Sequence, residues 1–528
     1  MDTLMKSKGS DEPQIIPSEL VLDVEDATNK DHELTILQAF KIYPKAVAWS
    51  AVLSASCIMD GYDTKLIGSL FAQPAFCKAY GELQPDGTYQ ITAAWQSGLN
   101  NGSNCGQMIG LCFAGFLTER FGFRKTMIAT LLVIPCIIFI QFFAPNLTVL
   151  EVGQILLGIP LGVFETITCV YAVEVAPTCL RGILTSWVSQ NWVIGQLISA
   201  IVLRAVLYLK SSWAYRIPFA IQWFWAVLIF IAVLFAPESP WWLVRQHRPE
   251  EAKVALRRLT SGNSATDFSL QQTLTLMELT LANERKLNPS TTFAACFKGT
   301  DLRRTMIVIG CYCMQIISGT TLRAYSTYFF EQAGLSTEQA FNMSIVTYVL
   351  EFVGTVIAWF LMPYVGRRTL FLWGLSTITA IFFTLGGLGV PQSTTTLSWA
   401  IASLLIACGF VGYLCMEPAI FAVVSEIPSS LLRSKSVAIA RFSYAALNIG
   451  ATVLTSYQLN PSAWGWGAKS GFFWGVSCMS GIFFTYFFVP EAKDRTVAEL
   501  DLLFEKGVSA RKFASTQVHA AEVAERAH

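Results

Sequence analysis

Charge is scarce in this sequence and almost balanced. Of 528 residues, 14% are charged, and 37 basic against 36 acidic side chains leave a net charge of +1. A soluble globular chain carries about 25% charged residues, so a soluble multidomain enzyme is excluded. With no basic excess, nothing favours nucleic acid as a partner. Histidine is rarer still: four residues, His247 among them, lie scattered in polar segments or tails and offer no metal site. Walker loops, dinucleotide fingerprints and nucleophile elbows are all missing, which disfavours ATP-driven pumping and enzymatic chemistry and calls for no cofactor. The 13 cysteines sit mostly inside apolar stretches (Cys57, Cys112, Cys136, Cys408, Cys415, Cys478), and Cys311-Tyr-Cys313 has no matching pair nearby. They read as small core residues. The first 45 residues are polar and acid-rich, without the apolar run of a cleaved signal peptide, and read as a cytosolic tail.

What the chain has in abundance is apolar length. A bilayer core needs about 20 largely apolar residues at 1.5 Å rise each, and twelve such runs occur. The first six begin near Ala46, Ala93, Met127, Thr148, Leu184 and Pro218, the second six near Thr305, Phe341, Leu370, Ser398, Ser436 and Gly471. The one long polar segment, from Pro237 to Arg304, divides them six and six and shows helical spacing over Glu250–Leu259. The expected division is therefore a cytosolic tail (1–45), a first six-helix bundle (46–236), a cytosolic central loop with short helices (237–304), a second six-helix bundle (305–489) and a cytosolic tail (490–528). With the N-terminus inside, the inner loops carry Arg120, Arg124, Lys125, Arg181, Arg367, Arg368, Arg433 and Lys435, against chiefly Lys78, Lys210, Arg216 and Lys469 outside.

The two halves repeat. Glu174, Arg181 and Pro237-Glu238 recur as Glu426, Arg433 and Pro490-Glu491, at offsets of 252, 252 and 253 residues, and Gly122-Phe-Arg-Lys answers loosely to Gly366-Arg-Arg. Arg-rich inner loops are common to polytopic proteins; matching offsets are not. Two parallel six-helix halves are the arrangement of major facilitator transporters, with the site between the halves near the midplane.

At its motifs the chain resembles the sugar-porter branch of the major facilitator superfamily over nearly its full length. The matching residues are Gly61-Tyr-Asp63, Glu119-Arg-Phe-Gly-Phe-Arg-Lys125, Glu174-Val-Ala-Pro-Thr-Cys-Leu-Arg-Gly182, Pro237-Glu-Ser-Pro-Trp-Trp-Leu243, Val365-Gly-Arg-Arg368, Glu426 through Lys435, and Pro490-Glu-Ala-Lys-Asp-Arg-Thr496. Trp95 through Gly102, Tyr325 through Gly334 and Glu499 through Phe513 look like fungal maltose and α-glucoside permeases. The resemblance implies an all-α membrane protein of twelve helices in two bundles. It further implies proton-coupled uptake of a glucoside across the plasma membrane by a monomer in the lipid bilayer.

Candidate residues follow from both arguments. Charges at helix ends (Glu119, Arg120, Arg124, Glu174, Arg181, Glu238, Arg367, Arg368, Glu426, Arg433, Glu491) are placed to form gate salt bridges across the two halves, helped by the helix dipoles. An ionised group at the centre of a span costs about 2.5–3.5 kcal/mol on insertion scales and usually faces a cavity. Asp60 and Asp63, three apart on one face of span one, are the proton-coupling candidates; in sugar porters the residue matching Asp63 has that role. Gln107, Gln154 and Phe488 stand where the resemblance leads one to expect an acid, an arginine and a basic residue. New charges appear instead at Lys65, Arg323 and Glu417. Arg323 is expected to pair with Glu417, to meet Asp60 or Asp63, or to bind an anionic or oxygen-rich substrate. Sugar hydroxyls call for amides and hydroxyls, and the ring's apolar face for aromatics. Ser189, Gln196, Gln315, Thr321, Tyr325, Tyr328, Phe421 and Asn448 are the candidates for substrate contact, although polar side chains in spans also serve as helix glue. Two rivals remain open: a facilitator or exporter of another polyol or a fungal secondary metabolite, and a nutrient sensor that does not transport.

Overall fold

The computed structural model describes residues 36–84, 87–176, 178–260, 270–271, 273–275, 277–278, 293–362, 364–391, 394–428, 432–493 and 497–516. The tail expected over residues 1–45 lies outside these as far as residue 35, and the side chains of Arg181 and Arg433 are also outside the described set.

The first half comprises span one (Pro44–Ser54 continued as Ser56–Leu70), two (Ala93–Phe121), three (Phe123–Phe142), four (Leu147–Val175), five (Thr178–Val206) and six (Trp213–Leu234). The second comprises span seven (Gly299–Ile317, then Thr320–Ala324 and Ser326–Gln332), eight (Thr337–Leu361) and nine (Arg367–Leu388). Span ten follows as Thr395–Val411, a wider turn at Gly412–Met416, and Glu417–Glu426; eleven is Arg433–Leu459 and twelve is Ser470–Phe488. Most begin up to a turn or two before the apolar run does, because the helical backbone extends past the apolar stretch into polar end residues. Between the halves lie the short helices Pro240–Arg245 and Pro249–Leu259, the latter where the periodicity places it.

Among the described residues, eight of the twelve are long and apolar enough on those grounds alone to cross a membrane. The remaining four are spans one, two, five and seven, and each fails for a physical reason. Span one bends at Ala55 and carries Asp60, Asp63 and Lys65; span seven is broken at Gly319, whose φ of 79° is a left-handed conformation. Spans two and five, 29 residues each, are rich in Asn, Gln and Ser. The least apolar spans are those whose polar side chains meet at the centre.

Packing repeats as the sequence does. In the first half span one packs on five, two on four and three on six; in the second, seven on eleven, eight on ten and nine on twelve. The seam between halves is closed by two contacts related in the same way, span two on eleven and span five on eight. Spans two and four touch backbone to backbone through glycines: a Cβ on Gly106 would stand 2.8 Å from the Cα of Gly158. Close approach through small residues is how helices associate in lipid, where burial of apolar area gives no net drive.

Candidate transport site

The ends of spans three and nine are built alike. Glu238 accepts from the backbone N–H of Phe123 (2.9 Å) and Arg124, and Glu491 accepts from the backbone N–H of Arg367 (2.9 Å) and Arg368 (3.2 Å). Each carboxylate thereby satisfies orphan donors at the positive end of a helix. Burial pushes the Glu238 carboxyl above the usual range, and these backbone bonds pull it back down. Arg124 reaches the carbonyl of Leu234, and Arg368 that of Tyr486 at 2.8 Å, locking span three to six and nine to twelve.

The remaining end charges correct one expectation. Glu174 pairs with Arg245 at 2.6 Å and also accepts from Ser239, while Arg367 pairs with Glu426 at 2.8 Å. The second pair lies within one half, and the first joins its half only to the short helix Pro240–Arg245 that follows it. Glu119 and Arg120 are exposed and form no ion pair among the described residues. In this conformation the described end clusters do not tie the halves together, because Glu174, Glu238, Glu426 and Glu491 each already accept from donors on their own side of the seam.

What joins the halves lies deeper, and chiefly away from the face where the termini emerge. The buried Lys65 ammonium donates to Ser326 (2.9 Å) and Thr327 (3.0 Å) of span seven and stands 5.0 Å over the Tyr348 ring. Tyr325 accepts from the Asn100 amide at 2.8 Å and shares a hydrogen bond of 2.8 Å with Ser456; Asn460 donates to the Ile91 carbonyl at 2.9 Å. At mid-height Asn448 donates to Asn104 at 3.0 Å and Asn101 to the Ile449 carbonyl at 3.3 Å. Asn104 stands three residues after Asn101 and four after Asn100 on span two, so the three amides face the seam together, a helical spacing visible in the sequence but not singled out there.

Asp60 accepts from Gln107 (2.7 Å) and from the Trp192 indole N–H (3.1 Å). One oxygen of Asp63 takes Gln154 and Gln222 at 3.5 and 3.4 Å; the other has no donor among the described residues. Asp63 borders, with Asn100, Ser103, Asn104 and Gln154, a cavity of about 20 Å³, roughly the room of one water. Both acids of span one are thus held by neutral amides and an indole, with no cation in bonding contact among the described residues.

The expected pairing of Arg323 with Glu417, Asp60 or Asp63 is not found. Arg323 faces Glu351 of span eight at 3.7 Å, donates to Ser318 and Thr320, and lies 5.9 Å over the Tyr413 ring. Glu417 is taken instead by the Gln315 amide at 2.6 Å. Residues 320–324 pack on spans eleven and one, and the guanidinium reaches past Gly412 and Tyr413 of span ten to Glu351, while Glu417 is already taken by Gln315. Glu351 was missed, as were Glu165 and Arg441, which pair at 2.5 Å. All three are charges inside apolar runs, and the rule that exposed Asp63 would have found them.

Of the other substrate candidates, Thr321 is bonded by Thr455 at 3.1 Å, Phe421 meets the Tyr312 ring edge-on at 6.5 Å, and Gln196 and Tyr328 are buried with a polar atom that has no partner among the described residues. Ser189 is half-buried on span five. Among the described residues no group of three or more His, Cys, Asp or Glu is placed to hold a metal.

Twelve helices in two repeats around a polar, hydrogen-bonded seam define a membrane carrier rather than an enzyme. The chain belongs to the sugar (and other) transporter family, which it matches over residues 48–504. It is 40% identical over 500 residues to the general alpha-glucoside permease of Saccharomyces cerevisiae, covering 94% of this chain and 81% of the relative. It is 38% identical over 521 residues to the maltose permease MAL31 of the same yeast, covering 98% and 85%. Among solved structures it is similar to the xylose transporter XylE from E. coli in a partially occluded inward open conformation, with a TM-score of 0.70 at 20% identity, covering 86% of this chain and 100% of that one. That likeness establishes the major facilitator fold.

Proposed function

We propose that the protein is a secondary active transporter that takes up an α-glucoside such as maltose together with a proton, by alternating access of the two halves. The observation that carries this reading is the 40% identity to an α-glucoside permease over 94% of the chain. Two buried carboxylates, Asp60 and Asp63, at the polar seam supply groups able to take and release a proton. The halves are residues 46–236 and 305–489, the segments 1–45, 237–304 and 490–528 are cytosolic, and the Arg-rich face is the inner one. The protein sits as a monomer in the plasma membrane. Sugar hydroxyls are met by Gln315, Thr321, Tyr325, Asn448, Gln196 and Ser189, and the ring face by Phe421 and Tyr328. Arg323, held by the Glu351 carboxylate, and Glu417, bonded to Gln315, are further candidates for cargo contact.

Uptake of labelled maltose, glucose and trehalose in cells lacking their own carriers, at acidic and neutral pH with and without an uncoupler, tests the reading. Maltose entry stimulated by acid and lost with the uncoupler is expected, and Asp63→Asn is expected to abolish accumulation while counterflow persists. Entry indifferent to the uncoupler would indicate a facilitator. No entry of any of the three sugars, with the protein at the surface, would sink the α-glucoside assignment.

Lys65 makes a second prediction. Its hydrogen bonds must break before span one and span seven part on the outer side. Lys65→Met is expected to raise severalfold the rate at which an impermeant maleimide added outside labels a cysteine placed at Ser69, which itself bonds Thr327 at 3.1 Å. An unchanged rate would show that Lys65 does not hold that face shut.

A further inference from the structure

The ion pair between Glu165 of span four and Arg441 of span eleven crosses the seam, and no motif of the sequence contains it. At 1.5 Å per residue both lie about 12–15 Å in from the face of the termini, between that face and the asparagine layer. Arg441 is fixed to its own half, its guanidinium 4.9 Å over the Tyr312 ring and 5.6 Å over that of Tyr444. Glu165 is fixed to the other. Cys57, three residues before Asp60, meets Thr168, three residues after Glu165, at 3.3 Å, so the antiparallel spans one and four set Asp60 level with Glu165 on the same side of the seam, within reach of the charges of Glu165 and Arg441. The groups around Asp60 are Asp63 on its own helix, Glu165 from span four, Arg441 and the Tyr444 phenol from span eleven, the neutral donors Gln107 and Trp192, and the thiol of Cys57. One cation of the second half therefore meets two carboxylates of the first, one by contact and one through space.

We propose that Glu165, Arg441 and Asp60 form the inner clamp of the carrier, in which Glu165 and Arg441 hold the halves together and the charge on Asp60 sets how tightly. With Asp60 ionised, Arg441 is drawn across the seam by two negative charges and the inner side stays shut. A proton on Asp60 removes one of the two, leaves Glu165 alone to hold Arg441, and lets the inner side open. The proton can then leave inward, and its loss tightens the clamp for the return. This order is the one a symporter needs, so the inference rests on the proton-coupled reading above but not on the identity of the sugar. Glu165 is a positioning residue: it carries no cargo and need not titrate.

The test requires no sugar. Trp187 and Trp359 face each other across the seam with ring centroids 6.4 Å apart, and cysteines in their place report closure by cross-linking in purified full-length protein. Yields at each pH are referred to the Asp60→Asn protein, which removes the effect of pH on thiol chemistry. Lowering the pH is expected to reduce relative cross-linking by about fivefold or more, in the range of coupling between linked sites. Glu165→Gln is expected to lower closure at every pH. The decisive protein is the exchange Glu165→Arg with Arg441→Glu, which keeps a pair but places its negative charge opposite Asp60. Its closure is expected to be restored while its response to pH reverses, since ionised Asp60 now repels the other half. A purely structural pair would restore closure with the response unchanged, and that result, or a wild-type seam indifferent to pH, overturns the proposal. If the exchanged protein does not fold, Glu165→Asp, which keeps the charge, must retain the wild-type response.

Discussion

Arg323→Ala is expected to remove most of the folded protein, and Glu351→Gln added to it is expected to bring much of that protein back. The reason is the environment of the pair. Both side chains are buried, 4% and 2% exposed, so the loss of one leaves the other as an unpaired buried charge. Removing one partner of a buried ion pair costs about 3–5 kcal/mol, whereas neutralising both leaves no orphan charge. At 3.7 Å the contact is an ion pair without a tight hydrogen bond, and the guanidinium also donates to Ser318 and Thr320, so the rescue should be partial. Thermal unfolding of the detergent-solubilised protein in a double-mutant cycle measures it. Glu417→Ala is expected to give far less rescue, because Glu417 is bonded to Gln315. Independent effects of Arg323 and Glu351 would defeat this account.

The second large effect is steric. Gly106→Val should leave no monodisperse protein, since even a Cβ at Gly106 would collide with the Ile155 carbonyl and come within 2.8 Å of Gly158. The clash is with backbone, which cannot swing aside, so spans two and four would have to separate along their length. Gly110 repeats the arrangement one turn on, against Ile159 and Gly162. The control is Gly115→Ala on the same helix, where a Cβ would meet nothing within 4 Å. Size-exclusion profiles of a fluorescent fusion separate the two outcomes, and equal profiles would mean that this contact is not needed for assembly.

The sequence shows the twelve spans and the twofold repeat because lipid imposes both: a run must be apolar to cross, and matching Glu, Arg and Pro residues recur where both halves need the same helix ends. The carboxylate at Asp63 was legible for the same reason, as a costly charge in an apolar run. Its surroundings were not. Nothing local says that Gln154 and Gln222, from spans four and six, converge on one oxygen of Asp63. The partner of Arg323 was misassigned because two carboxylates, Glu351 and Glu417, were in reach of the second half. The choice between them depends on Gln315 taking Glu417 and on the path of a long side chain past Gly412 and Tyr413, neither of which is a matter of composition. The end charges have the signs and positions to bridge the halves, but whether they do depends on conformation, which sequence spacing does not encode.

Span ten carries a feature whose effect is on aim. Its wider turn at Gly412–Met416 takes in one residue more than a regular turn holds. Each residue advances an α-helix by about 100°, so everything after that turn is rotated by the surplus, including Glu417, Phe421 and Glu426. The carboxylate that meets Gln315, the ring beside Tyr312 and the acid that grips Arg367 all owe their bearing to it. Chain length here works as a protractor. Shortening the turn by a single residue, with every one of those side chains left intact, would point all three the wrong way.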